Sequence, residues 1–131
     1  MDRIELRTER REQMVDVTAH VAEVVASSGV RDGLVHVASM HTTAGVTVNE
    51  NADPDVARDI LAGLEHLAPV QADWRHLEGN ADAHVKATLV GSSATVPVAD
   101  GRLALGTWQA VYFCEFDGPR NRHVIVTVVP G

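Results

Sequence analysis

Apolar and polar positions alternate along this chain with two different periods. The first half carries the helical one: Val17, Val21, Val24 and Val25 fall on one face of a helix that Asp16 can cap and that runs to about Ser28. Gly29 suits the left-handed residue that closes such a helix. A second stripe, Val56, Ile60, Leu64 and Leu67, follows Asp53 as N-cap, Pro54 in the first helical position and Asp55 complementing the dipole. Pro69 stops it. Between the two helices, Gly33 to Ser39 reads as a strand whose nearly continuous apolar character implies burial. Ile4 and Leu6 suggest a short edge strand within the charged Met1–Arg11 segment.

From Ala83 onward the period becomes two. Ala83–Val90, Ala94–Val98, Leu103–Leu105, Thr107–Phe116 and Arg122–Val129 are predicted strands, divided by Gly-Ser-Ser, Asp-Gly, Gly and Asp-Gly-Pro turns. Asp100-Gly101 is a strong hairpin signal. Helices early and hairpins late predict an α+β fold: a single compact domain over residues 1–131, mainly antiparallel β-sheet with two principal helices.

Composition narrows the function classes. A chain of 131 residues suits one domain that buries roughly two-thirds of its extended surface. Aromatic residues are only 4%, so aliphatic side chains, valine above all, must fill the core. A net charge of −7 argues against a nucleic-acid partner, although confined lysines and arginines can still hold a small anion. Cys114 is the single cysteine and demands no oxidising compartment. Charged residues directly after Met1, and no apolar run of about 18 residues, predict neither signal peptide nor membrane span. The expectation is a cytoplasmic protein.

Candidate chemistry concentrates in Met40–Asn51, where His41, Thr42, Asn49, Glu50 and Asn51 lie between the strand and the second helix. Ligand sites form where polar side chains converge on rigid neighbours. Asn and Asp there also favour turns, whereas Glu50 can be a metal ligand or general base. In the Ala83–Val90 strand, alternation puts His84, Lys86 and Thr88 on one face. That face is either solvated or the wall of a pocket in which His84 is ligand or acid/base and Lys86 contacts an anion. Gly91, Ser92 and Ser93 follow with backbone N–H groups and hydroxyls suited to phosphate, or form only a hairpin loop. Thr107–Phe116 is apolar on both faces and so covered on both, which leaves Gln109 and Glu115 beside Val111 and Phe113. A buried Glu115 needs a partner, and Arg120 is the nearest in sequence, in a structural or a catalytic pair. Of the seven histidines, His20 and His66 read as solvated and His36 as a satisfied core histidine. His41, His76 and His84 stand beside other polar residues, and three imidazoles would suit a zinc-like ion with an open position. Whether they meet is open at this point.

The segments His41-Thr42-Thr43-Ala44-Gly45, Asn49-Glu50-Asn51 with Asp53-Pro54, Asn80, Ala83-His84-Val85-Lys86-Ala87, Gly91 and Pro97 occur in a particular order. They are followed by Gly101-Arg102-Leu103, Leu105-Gly106-Thr107-Trp108-Gln109 and Glu115-Phe116-Asp117-Gly118-Pro119-Arg120. Together they resemble the YjbQ-like family, often labelled secondary thiamine-phosphate synthases. The likeness spans nearly the whole chain, and the first forty residues carry little of it. It implies a compact α+β fold, a homotrimer with the site near subunit boundaries, and a weak synthase activity. That activity joins a pyrimidine diphosphate to a thiazole phosphate and releases diphosphate.

The resemblance supports His41 and His84 as site residues, with His76 a third member and a divalent ion, zinc or magnesium, as cofactor. The expected catalytic set is His41, Glu50, His84 and Lys86. Thr42, Asn49, Asn51, Gly91, Ser92, Ser93, Gln109, Glu115 and Arg120 are expected to bind a small phosphorylated metabolite. Two other classes compete with the synthase: a metal-dependent hydrolase of a phosphorylated metabolite, and a trimeric metabolite-binding module without catalysis.

Overall fold

A computed structural model describes residues 1–131, and its strands all pair antiparallel. β1 (Asp2–Arg7), β8 (Asn121–Pro130), β3 (Gly33–Ser39), β5 (Ser93–Ala99) and β6 (Arg102–Leu103) form one sheet in that order. β2 (Gln13–Asp16), β7 (Gln109–Glu115) and β4 (Ala44–Glu50) form a second. α1 (Thr18–Ser28), α2 (Pro54–Leu67) and α3 (Ala81–Val90) complete the fold.

Valine alternation builds the first core. Val35, Val37, Val96, Val98, Val124 and Val126 from the larger sheet meet Ala44, Val46, Val111 and Phe113 from the smaller one, together with Val17, Val21 and Val25 at the α1 face. The opposite face of β7 makes the second core, where Ala110, Tyr112 and Cys114 join Phe116 and pack with Ala83 of α3 and Leu61 and Leu64 of α2. The molecule is therefore three layers deep, sheet on sheet on helices, and β7 is covered on both faces as its sequence predicts.

Three of the helix-end residues follow the sequence. Gly29 closes α1 with φ 74°, and Asp53 accepts from the Asp55 N–H at 2.9 Å with Pro54 opening α2. The α1 cap is corrected: Val17, not Asp16, holds the cap position, and Asp16, one residue outside it, accepts from the Thr18 N–H at 2.9 Å. Asp100 (φ 53°) and Gly101 (φ 73°) make the tight turn between β5 and β6.

Three expectations are corrected, and one strand has no counterpart among them. Ala83–Val90 is helix, not strand: Ala83, Ala87 and Val90 recur at helical spacing on the second core, and Asp82 and Lys86 pair across one turn at 2.7 Å. Ala44–Glu50, expected as part of a polar segment between a strand and the second helix, is itself strand β4, because Ala44, Val46 and Val48 share the face towards the first core. β3 is buried on one face only, leaving Leu34 49% exposed and His36 outside the core, with His36 Nδ1 3.3 Å from the Thr95 hydroxyl. The unpredicted strand is β2, whose four residues are too few to show a period. None of the helices is long and apolar enough to cross a membrane.

Candidate functional site

The fold divides the polar segment that opens at Met40. With β4 rising about 3.4 Å per residue, its His41 end and its Asn49–Asn51 end lie roughly 20 Å apart. At the far end the polar groups serve the fold. Asn51 Nδ2 donates to Asp16 at 2.9 Å, Asn49 Oδ1 accepts from the Glu50 N–H at 2.8 Å, and Gln109 Oε1 accepts from the Gly106 N–H at 2.8 Å. Glu50 pairs with Gln109 across the ladder and its carbonyl accepts from the Tyr112 hydroxyl at 3.1 Å. Glu50, Asn49, Asn51 and Gln109 therefore do not gather around His41.

At the near end, close backbone approach builds a groove. A Cβ on Gly45 would stand 2.5 Å from the Gly91 carbonyl, so only glycine lets β4 cross the end of α3. Val46 N–H donates to that carbonyl at 3.0 Å, and Ser39 N–H to the Ser92 carbonyl at 2.7 Å. This crossing brings His41 and Thr42 beside Gly91 and Ser92, with His84 and Thr88 one helical turn apart on α3. The resulting hollow is about 530 Å³ and borders a second of about 360 Å³, with His41, Thr42 and His84 lining both. Asn80, Glu78, Asp117 and Arg120 line the second. Ser93 is exposed at the start of β5 and lies outside these linings.

Several groups in this cleft are fixed by hydrogen bonds. The His123 backbone N–H donates to His41 Nε2 at 2.9 Å, which assigns the proton of the neutral ring to Nδ1. Burial, then the Arg122 charge, hold His41 below the ordinary imidazole range, outweighing the Glu115 carboxylate. Arg120 is fixed through Nε to the Asp117 carbonyl at 2.7 Å and through Nη2 to the Asp117 carboxylate at 3.1 Å. That carboxylate also accepts from Asn80 Nδ2 at 2.8 Å, while Asn80 Oδ1 is buried without a partner in the chain.

Two charged residues expected in the site serve other ends. Lys86 is wholly buried, and its Nζ donates to Glu12 (2.7 Å), Glu65 (2.6 Å) and Asp82 (2.7 Å). Helical geometry turns it 200° from His84, so the shared face inferred from strand alternation does not exist. Burial works against its charge, but the three carboxylates raise its pKa above the ordinary lysine range. Glu115 pairs with Arg122, not Arg120. Arg122 Nε reaches Oε1 at 2.8 Å and Nη2 bonds Oε2, while Thr8 adds its hydroxyl at 2.7 Å. The N–H groups of Phe116 and Asp117 donate to Oε2, each at 3.1 Å. Burial pushes the Glu115 carboxyl up; the Arg122 and Thr8 hydrogen bonds more than offset it and bring it below the usual carboxylate range. Arg122 Nη2 also donates to Thr43 Oγ1 at 2.8 Å, which fixes the loop behind His41.

The expected three-histidine ion site does not form within one chain. His41 Nε2 is engaged by His123, and the His76 and His84 rings meet edge to face with centroids 5.2 Å apart. Glu12, Glu65 and Asp82 are the one set of three acidic or histidine ligand atoms lying within 4.8 Å of one another, and the Lys86 ammonium bonds all three. These residues therefore do not fit the divalent ion that the histidines suggested. His76 instead helps line a separate hollow of about 360 Å³ with Trp74, Arg75, Ala81, His84 and Val85.

Asn80, Asp117, Arg122 and Trp74 were not among the expected site residues. Arg122 left a readable signal, since alternation in β8 puts it on the inward face with Val124 and Val126, where a guanidinium requires a carboxylate. Asp117 lies three residues before Arg120 in the same turn. Trp74, in a loop without periodicity, left none.

Comparison with known proteins agrees with this architecture. The family model described as UPF0047 protein YjbQ-like matches residues 2–131. A UPF0047 protein of Methanocaldococcus jannaschii is 47% identical over 125 residues, covering 95% of this chain and 91% of its own. YugU of Bacillus subtilis is 47% identical over 120 residues, covering 91% of each chain. A crystal structure of a YjbQ/UPF0047 family protein from Clostridium acetobutylicum superposes with a TM-score of 0.97 at 50% identity, covering 98% of this chain and 100% of that one. A YbjQ-like protein of unknown function from Sulfolobus solfataricus gives 0.95 at 34% identity, covering 99% and 96%. The chain belongs to the YjbQ-like UPF0047 family.

Proposed function

We propose that the His41–His84–Arg120 cleft binds the phosphate end of a small phosphorylated metabolite and catalyses a condensation of the thiamine-phosphate synthase type. In that reaction the carbon–oxygen bond of a pyrimidine-methyl diphosphate breaks, its electron pair leaving on the diphosphate. The thiazole nitrogen then donates its lone pair to the same carbon, forming the carbon–nitrogen bond. The difficulty lies in stabilising the departing negative charge, which preorganised donors do best. One observation carries the reading: Arg120 is held by Asp117 at the edge of a cleft that also contains His41 and His84.

In a chain of net charge −7, such a confined cation supplies the local attraction that an anionic substrate needs. The Arg120 guanidinium would hold the diphosphate, and the Thr42 and Ser92 hydroxyls and the His84 ring would add hydrogen bonds. Neutral His41 would offer Nδ1–H. Buried Asn80 Oδ1 would accept from an exocyclic amine or hydroxyl of the substrate. We further propose a homotrimer as the working assembly. Leu34 and Val129, each about half exposed, face each other in register on the outer side of the larger sheet and would be covered by a second subunit.

The test is incubation of purified protein with the pyrimidine diphosphate and thiazole phosphate, with the product identified by mass spectrometry. His84→Ala and Arg120→Ala should each lower kcat/KM by roughly 10²-fold, the usual scale for losing one charge-stabilising donor. Phosphate release without carbon–nitrogen bond formation would replace the synthase with a hydrolase. Saturable binding without turnover would leave a metabolite-binding module.

A further inference from the structure

The hollow formed by Trp74, His76 and His84 differs in kind from the cleft beside it. Its lining contains an indole, two imidazoles, Ala81 and Val85, with Arg75 and no carboxylate. The adjoining cleft is polar and holds Glu78, Asp117, Arg120 and Arg122. His84 belongs to both. The Trp74 Nε1–H is engaged by the Pro69 carbonyl at 3.0 Å, so the indole is held in place and offers its apolar surface. His76 and His84 are nearly perpendicular, at 86°, so they present differently oriented ring surfaces on one side of the hollow. At about 360 Å³ the hollow falls in the range of small-molecule sites.

From this juxtaposition we infer that Trp74, His76 and His84 form a subsite for a planar heteroaromatic ring, whose phosphate tail extends past His84 to Arg120. The inference rests on the proposed phosphate cleft and assigns the other half of its ligand. A flat ring can stack on the indole and meet the imidazoles edge-on, and its ring nitrogens can exchange hydrogen bonds with imidazole N–H groups. An aliphatic phosphate would use only the Arg120 half. His84, touching both halves, would set the distance between ring and phosphate.

Binding separates this inference from the reaction. Trp74 and Trp108 are the two tryptophans, and Trp108 lies outside both clefts, so Trp108→Phe leaves Trp74 as the only indole reporter. Titration of that variant with an aminopyrimidine-methyl phosphate should quench Trp74 saturably, whereas glycerol phosphate should not. Calorimetry on Trp74→Ala and His76→Ala should show at least tenfold weaker binding of the aminopyrimidine phosphate, with inorganic diphosphate changed less than twofold. His76, whose side chain is 44% exposed, provides the variant least able to disturb folding. Absence of quenching, or equal weakening of both ligands in His76→Ala, would overturn the subsite. If instead the selective loss appears but no carbon–nitrogen bond ever forms, the subsite stands and the synthase reading fails.

Discussion

Arg120 and Arg122 stand two positions apart and have opposite surroundings. The Arg120 side chain is about half exposed and bonded only to Asp117, whereas the Arg122 side chain is 4% exposed and bonded to a carboxylate that is itself buried. Removing one partner of a buried pair leaves the other charged and unpaired, at a cost of about 3–5 kcal/mol. Glu115→Ala should therefore destabilise the protein by about that much in urea titration, and Arg120→Ala by less than about 1 kcal/mol. Equal effects would mean that the buried network is not what holds the turn. Residue-level roles were legible where a side chain broke a pattern, as Glu115 does in an apolar strand. Its partner was not, because nearness in sequence favoured Arg120, while the chain passing from the smaller sheet at Glu115 to the larger one at Arg122 folds the Arg122 side chain back onto the carboxylate. His41 carries its own prediction. Burial and the Arg122 charge favour its neutral form, so its NMR titration midpoint should fall below the ordinary imidazole value of about 6.5.

At the level of elements, α3 shows why period alone misleads. The run His-Val-Lys-Ala-Thr-Leu satisfies strand alternation, yet Ala83 and Ala87 favour helix and Asp82 and Lys86 are spaced for pairing across one turn. Those local signals were present in the sequence; tertiary packing on Phe116 and Tyr112 decided between them and alternation. The same helix holds His84 in the cleft, and Lys86 ties it to the N-terminal arm through Glu12 and to α2 through Glu65. Lys86→Met would leave Glu12, Glu65 and Asp82 facing one another with only Arg11 as counter-charge. Its urea midpoint should fall by the equivalent of about 3–5 kcal/mol. A near-neutral result would show that the ammonium merely fills space. β4 was hidden for a different reason: its threonine, asparagine and glutamate pointed to ligand chemistry, and pairing along the whole of β7 gives weight to the short Ala44, Val46, Val48 alternation.

For the whole molecule, the buried ionisable groups define a pH window for stability. Asp82 and Glu115 have lowered values despite burial, and Glu65 is lowered chiefly by Lys86, so their contribution is present above about pH 4–4.5 and lost as the pH falls through their folded values. His41, also lowered, removes stability earlier, from about pH 6.5 downward. On the alkaline side, burial pushes the Cys114 thiol up to about 12, so the unfolded chain loses its proton first and stability declines from about pH 8.5. Lys86, raised above its ordinary range, keeps its contribution below about pH 10.4 and loses it only beyond. Urea midpoints should therefore be highest between about pH 6.5 and 8.5. Cys114→Ala should flatten the decline between about pH 8.5 and 10; an unchanged slope would contradict the thiol's role. The overall α+β class was legible because valine spacing and turn residues agreed. The division into two sheets was not, since strand order depends on long-range pairing that no local window contains. The double covering of β7 has a further consequence in time. Hydrogen exchange at Val111–Glu115 should require the largest opening in the molecule, whereas the irregular stretch containing Trp74 should exchange through small local fluctuations. Glu115 and the Arg122 it anchors would then form a rear wall that stays still while the aromatic front breathes, letting a ligand enter from the side of Trp74 without disturbing the charges behind His41.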